Sequence, residues 1–405
     1  MAHLDTQAMQ SLMQSQREIQ LRDLQQVLRR RFGDGVDLLD FSSEALVKPG
    51  DNYGSTMLKV TASATFNDRD GVEKLHLVAK MLPTSHFQRI VYQCNFTVKK
   101  EIFAFEEMLP VYRSLYVEEF DVVPKFFGAR LSAEPDTYEV DDDAVILLEN
   151  LKEAKYVMEN RFKGLTMDHM RIALPAIARF HAIGMAIKQK NPTFFAKIKR
   201  YARPLDMPDA MISPLIIGMQ LVIKKEPQLA GYYERVMALY KCGKTVNCFL
   251  QTTLEPDDPW ACIVHRDLWN NNVMFHIDEQ SQKIDAFKFF DFQNYCFSSP
   301  MTDLLFFLFS SMQRDLANVS EAIELYRVSA YETLEKLTCD ASLFDQETFE
   351  VRLKEDARSE LYHSILMART VELRSVEEFV QPTINEFCLR RILRILEIYD
   401  DKKWF

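Results

Sequence analysis

Val264-His265-Arg266-Asp267-Leu268-Trp269-Asn270-Asn271-Asn272-Val273, followed by Phe289-Phe290-Asp291-Phe292-Gln293, is the stretch on which the reading of this 405-residue chain turns. Phosphoryl transfer needs one carboxylate to orient an attacking hydroxyl and two oxygen ligands to hold magnesium on a triphosphate. The spacing H-x-D-x-x-x-x-N with a later D-F supplies all three, with Asp267 as the base and Asn272 and Asp291 as metal ligands. His and Asp two apart arise by chance in many chains, so the weight rests on the rest of the constellation. Between Asn272 and Asp291 two short apolar runs, 273–275 and 286–290, flank the polar turn 278–283. That pattern predicts a tight hairpin. It sets Asn272 and Asp291 side by side at one end, where a shared cation needs its oxygen donors.

Working outward, the first third reads as strand-rich. Residues 38–48, 55–66 and 72–82 are β-like, separated by Pro49-Gly50-Asp51-Asn52-Tyr53-Gly54 and by the turn 67–71, which predicts a small antiparallel sheet. An amphipathic helix is expected over 15–32. Residues 96–109 have the helical spacing of Phe103, Phe105 and Met108 and should stop before Pro110; two more strands are expected at 122–131 and 144–148. Beyond 149 the periodicity is helical, at 167–188, 220–240, 303–312, 316–337, 349–372 and 384–399, interrupted only by the hairpin. The expectation is an α+β, bilobal protein-kinase-like fold. Residues 1–148 form an N-terminal antiparallel sheet lobe that binds nucleotide, 149–152 a hinge, and 153–405 a helical C-terminal lobe with the catalytic loop and acceptor site.

A triphosphate needs backbone N–H groups that can approach closely, which favours small residues in a turn between strands. Gly50 to Ser55 fits, with Asn52, Tyr53 and the Ser55 hydroxyl as phosphate-side candidates, although it is no G-x-G-x-x-G. Lys80, closing Leu77-Val78-Ala79-Lys80, stands where the phosphate-pairing lysine of V-A-I-K stands. Its carboxylate partner is expected on the next helix, and Glu101 is the choice over Glu106 and Glu107. Leu147-Leu148-Glu149-Asn150-Leu151 ends an apolar strand on polar residues, so backbone groups of Glu149 and Leu151 are the expected adenine contacts. Asp303, opening a very apolar helix, reads as a first-turn negative charge with no chemistry. His181 reads as a satisfied core histidine, and His265 as a brace for the loop.

Bulk properties narrow the class. Lys and Arg total 49 against 59 Asp and Glu, a net charge of −10, and Arg29-Arg30-Arg31 at a helix end is the one dense basic cluster. Nucleic acid is therefore not an expected partner. The start lacks a basic, apolar leader pattern and no stretch reaches about 18 consecutive apolar residues. A soluble, cytoplasmic protein without a membrane span is the expectation. Seven cysteines without C-x-x-C spacing argue against a disulfide framework or a zinc site and for buried thiols.

With these residues in place the chain resembles the ecdysteroid kinase-like family, relatives of choline and aminoglycoside kinases. The marks are Gly50-Asp51-Asn52-Tyr53 before a strand, Leu148-Glu149-Asn150-Leu151, Ala178-Arg179-Phe180-His181-Ala182, the run from His265 to Phe275 with its Leu268-Trp269-Asn270-Asn271-Asn272, and Asp291-Phe292-Gln293. The resemblance implies ATP- and Mg2+-dependent phosphorylation of a hydroxyl on a small lipophilic molecule, an ecdysteroid or a xenobiotic undergoing detoxification. One departure is Arg266, where relatives usually carry Gly. Gln293 in place of the Gly of D-F-G, and the lack of A-P-E, argue against a protein kinase. The segment 194–254, with Met207, Met211, Ile212, Leu215, Ile216, Ile217 and Met219, offers an apolar lining for a steroid-like acceptor or simple packing for the helical lobe. A pseudokinase-like protein that binds a lipophilic ligand without catalysis is the alternative, marked by a lost metal ligand that this sequence does not show.

Overall fold

The structure is a computed structural model that describes residues 20–46, 54–116, 120–134, 137–205, 209–241, 258–373 and 383–405. It divides into two compact units, Met1–Pro110 with Val123–Lys155, and Val111–Val122 with Tyr156–Phe405.

The first unit is built on a five-stranded sheet of β1 (Val36–Ala45), β2 (Thr56–Phe66), β3 (Val72–Met81), β4 (Phe126–Arg130) and β5 (Val145–Glu149). Its order is β1-β2-β3-β5-β4, and every neighbouring pair is antiparallel. The alternation of β2 decides which face is inside: Leu58, Val60, Ala62, Ala64 and Phe66 are buried and the residues between them half-buried. Helix α1 (Leu24–Phe32) covers that face with Leu24, Val27 and Leu28. Burying each such side chain contributes about 1.5–3 kcal/mol. Asp23 caps the helix by accepting the Gln26 N–H at 3.0 Å. Buried Arg130 on β4 fastens its start, donating to Arg22 O at 2.6 Å and Asp23 O at 3.2 Å. Gly128 is required beside it, because its φ is +134° and a Cβ there would lie 2.6 Å from Val27 O.

After β3 come α2 (His86–Val91) and α3 (Cys94–Phe103). The expected stop before Pro110 is overturned. A π-turn spans Ala104–Met108, the Leu109 N–H donates to Ala104 O, and α4 (Leu109–Leu115) runs on through the proline. Proline has no N–H and crowds the carbonyl four residues back, and the widened turn accommodates both.

The second unit holds a three-stranded sheet of β6 (Tyr156–Val157), β8 (Val273–Ile277) and β9 (Ile284–Phe289) in the order β6-β8-β9, and a pair of β7 (Cys262–Val264) and β10 (Cys296–Ser298). Its core helix is α5 (Met167–Lys190), where Leu174, Ile177, Phe180, Ile183 and Ile187 are buried. By length and composition α5 could cross a membrane, and 78% of its most apolar window is buried within the protein. α6 (Pro192–Tyr201) follows. The single helix expected over 220–240 is two, α7 (Asp209–Lys225) and α8 (Tyr233–Lys241). Pro227 between them cannot donate, and it disfavours helical geometry at the residue before it. Then come α9 (Pro300–Ser311), α10 (Val319–Lys336), α11 (Gln346–Glu372) and α12 (Glu386–Asp401).

The unit boundary differs from the expected one. Val111–Val122 packs with the second unit, since Tyr112 stacks on Phe180 at 5.2 Å, Lys288 reaches Asp121 at 2.9 Å and the Phe289 N–H donates to Val122 O at 2.9 Å. The first unit runs on to Lys155, past the expected hinge.

Candidate active site

Strand β7 delivers the chain to His265, and the 3-10 turn Asn270–Asn272 hands it on to β8. His265 ties the two ends of the motif together. Its Nδ1 accepts the Asp267 N–H at 3.3 Å, which leaves Nε2 as the protonated nitrogen donating to Phe290 O at 2.9 Å. The hairpin closes the same loop from the other side, with Val273 opposite Phe289 and the Phe290 N–H donating to Asn272 O at 3.1 Å. Asn272 is buried, and its Nδ2 donates to Asp267 O at 2.9 Å, so Oδ1 is its remaining side-chain acceptor. Asp291, the residue after Phe290, has φ +71°, an unfavourable backbone for a side chain with Cβ, and starts the 3-10 turn Phe292–Asn294. From that turn Asn294 Nδ2 lies 3.4 Å from the Asp267 carboxylate. Asp267 and Asn272 are thus joined by direct hydrogen bonds to each other and to Phe290 and Asn294 on either side of Asp291. Among the described residues no group of three or more His, Cys, Asp or Glu could hold a metal.

Sequence reading gave Asp303 no role beyond its helix turn. In the structure it is fully buried at the start of α9 and accepts the backbone N–H of His265 at 2.6 Å and of Arg266 at 2.8 Å. His181 Nε2 meets the same carboxylate at 3.1 Å and its Nδ1 meets Tyr326 OH at 2.7 Å. Burial alone would raise the Asp303 pKa, but the His181 hydrogen bond, the adjoining His181 and His265, and the His265 N–H outweigh it and hold the carboxyl below its ordinary value. Arg266 has φ +70° and sends its guanidinium to Glu360 on α11 at 3.1 Å. The one signal in the sequence for Asp303 was an acid immediately before the apolar run Leu304–Phe309; Glu360 and Asn294 gave none.

In the first unit, Lys80 at the end of β3 and Glu101 on α3 meet at 2.6 Å, both buried. Ser55 is buried just before β2, its Oγ 3.6 Å from Met57 Sδ. Asn52 and Tyr53 lie outside the described residues. The Glu149 N–H donates to Lys125 O at 2.8 Å and its carboxylate accepts the Lys125 N–H at 3.1 Å. The Glu149 carboxylate thus has a structural duty, tying the strand end to Lys125. Among the described residues the Leu151 N–H has no hydrogen-bond acceptor, while the Asn150 N–H is taken by His76 O at 3.0 Å.

An antiparallel five-stranded sheet at the N-terminal end followed by a helical remainder makes an α+β, kinase-like fold. The chain belongs to the ecdysteroid kinase-like family, whose model matches residues 49–339. No curated protein matches it. Among solved structures, an ethanolamine kinase of Plasmodium vivax is similar at 11% identity and a TM-score of 0.43, over 92% of this chain and 84% of that one. The GDP complex of wild-type aminoglycoside 2'-phosphotransferase-IIIa is similar at 13% identity and a TM-score of 0.38, over 94% and 97%. A choline/ethanolamine kinase family protein from Mesorhizobium loti follows at 11% and 0.29, over 76% and 88%.

Proposed function

We propose that this chain uses ATP and Mg2+ to phosphorylate a hydroxyl of a small lipophilic molecule, an ecdysteroid or a xenobiotic, in the cytoplasm. The observation that supports the reading is the hydrogen-bonded closure of the loop from His265 to Asn272 onto Phe290, the residue before Asp291. In this reading Asp267 orients the acceptor hydroxyl and takes its proton. Asn272 Oδ1 and the Asp291 carboxylate are hard oxygen donors of the kind magnesium prefers, and they would hold it. When bound, the ion supplies positive charge against the triphosphate. Lys80, fixed by Glu101, would meet phosphate oxygens, together with Ser55 and the preceding Asn52 and Tyr53. Backbone groups of Glu149 and Leu151 would face adenine.

Purified protein given Mg-ATP and a panel of hydroxylated steroids and xenobiotic alcohols tests it. The expected result is a phosphate ester on at least one acceptor, detected by mass spectrometry, and its loss in Asp267→Ala. Ligand binding without any transfer would replace this reading with that of a non-catalytic binding protein.

A further inference from the structure

We infer that Glu360 is a positioning residue for the catalytic loop and acts through Arg266. Its kinetic consequence rests on the phosphotransferase reading, whereas its structural consequence does not. Arg266 occupies the left-handed region at φ +70°, where a residue with a Cβ is held only if its surroundings over-determine it. Two helices do so. From α9, Asp303 accepts the Arg266 backbone N–H at 2.8 Å; from α11, Glu360 Oε1 accepts the guanidinium at 3.1 Å.

Glu360 is itself almost wholly enclosed, at 1% side-chain exposure. Its second oxygen accepts from His363 Nδ1 at 2.9 Å, and the His363 ring stacks on Phe306 of α9 with centroids 4.7 Å apart. Burial alone would keep Glu360 protonated; the Arg266 charge, then the His363 hydrogen bond, prevail and lower its pKa. Burial likewise lowers the His363 pKa, so His363 serves as a neutral donor and Arg266 as the counter-charge. A buried carboxylate thus has its counter-charge one residue before Asp267. Moving that residue out of the left-handed region withdraws the guanidinium and strands the charge, which couples loop conformation to α11.

A merely structural Glu360 would steady the helices and leave the loop unaffected when changed. Glu360→Gln, Arg266→Gly and the double variant separate the two cases, because glycine adopts φ +70° without a Cβ clash and has no need of a partner. Hydrogen–deuterium exchange of the peptide covering residues 265–272 is the readout independent of turnover. Expected in Glu360→Gln are faster exchange in that peptide and a kcat lowered about 10- to 100-fold, with KM for ATP within about twofold. The double variant should return both exchange and kcat most of the way. Unchanged exchange in Glu360→Gln, or a double variant no better than that single one, overturns the inference. Should Glu360→Gln fail to fold, the double variant decides: folded and protected supports positioning, unfolded refutes it. Should the wild type transfer phosphate to no acceptor, the proposed function fails while the exchange comparison still judges Glu360.

Discussion

In the first unit Lys80 and Glu101 meet directly at 2.6 Å between a strand and a helix, whereas in the second unit the loop around Asp267 is held by His265, Asp303, His181, Glu360 and His363 together. The difference follows from the backbone each must support. Lys80 lies in a regular strand whose ladder already fixes it, in register with Ile146 on one side and Met57 on the other. The loop has no ladder, and it contains left-handed residues at Arg266 and, past the hairpin, Asp291. Irregular backbone inside a protein needs side-chain partners for its N–H groups. Asp303 and His265 are those partners here.

Four changes would break or sharpen this contrast. Asp267→Ala should cut turnover by about 10²- to 10⁴-fold and leave the melting temperature nearly unchanged, since Asp267 is only half-buried. Asp303→Ala should do the reverse in kind, lowering unfolding free energy by about 3–5 kcal/mol in denaturant titration as it frees two loop N–H groups and strands His181. A smaller figure is expected from the cycle of Lys80→Met, Glu101→Leu and their double, with a coupling of about 1–3 kcal/mol. A double variant costlier than the sum of its singles would mean that this ladder-supported site is not organised around a simple pair. At the low end, Lys59→Ala, which removes exposed contacts to Glu153 at 3.1 Å and Glu44 at 3.7 Å, should produce no measurable change in melting temperature.

The same contrast has a pH signature. Asp303 is held below its ordinary value of 3.8, so its contribution to stability is present above that value and is lost as pH falls through the lower folded one. Melting temperature followed from about pH 6 down to about pH 2 should therefore fall less steeply in Asp303→Asn than in the wild type. Equal slopes would mean the carboxylate is not ionised in the fold.

Legibility in the sequence tracks this division. Strand β2 could be read because it alternates along its length against one core, and β3 because its apolar run follows a turn and ends at Lys80. The hairpin between Asn272 and Asp291 was readable from two short apolar runs around a polar turn. Pro110 misled, because proline is an ordinary stop signal and nothing local announces a π-turn that admits it. Pro227 was the opposite case, a stop passed over in favour of apolar periodicity. Glu360 could not be found at all, lying 94 residues from the Arg266 it meets, on a helix otherwise unremarkable in pattern. Asn52 and Tyr53 fall outside the described residues.

The most direct test of the central claim is the position of a cation. Crystals grown with Mn2+ in place of magnesium and a non-hydrolysable ATP analogue should show an anomalous peak about 2–2.5 Å from both Asn272 Oδ1 and the Asp291 carboxylate. A manganese site that leaves both residues unliganded, with nucleotide bound, would contradict the assignment.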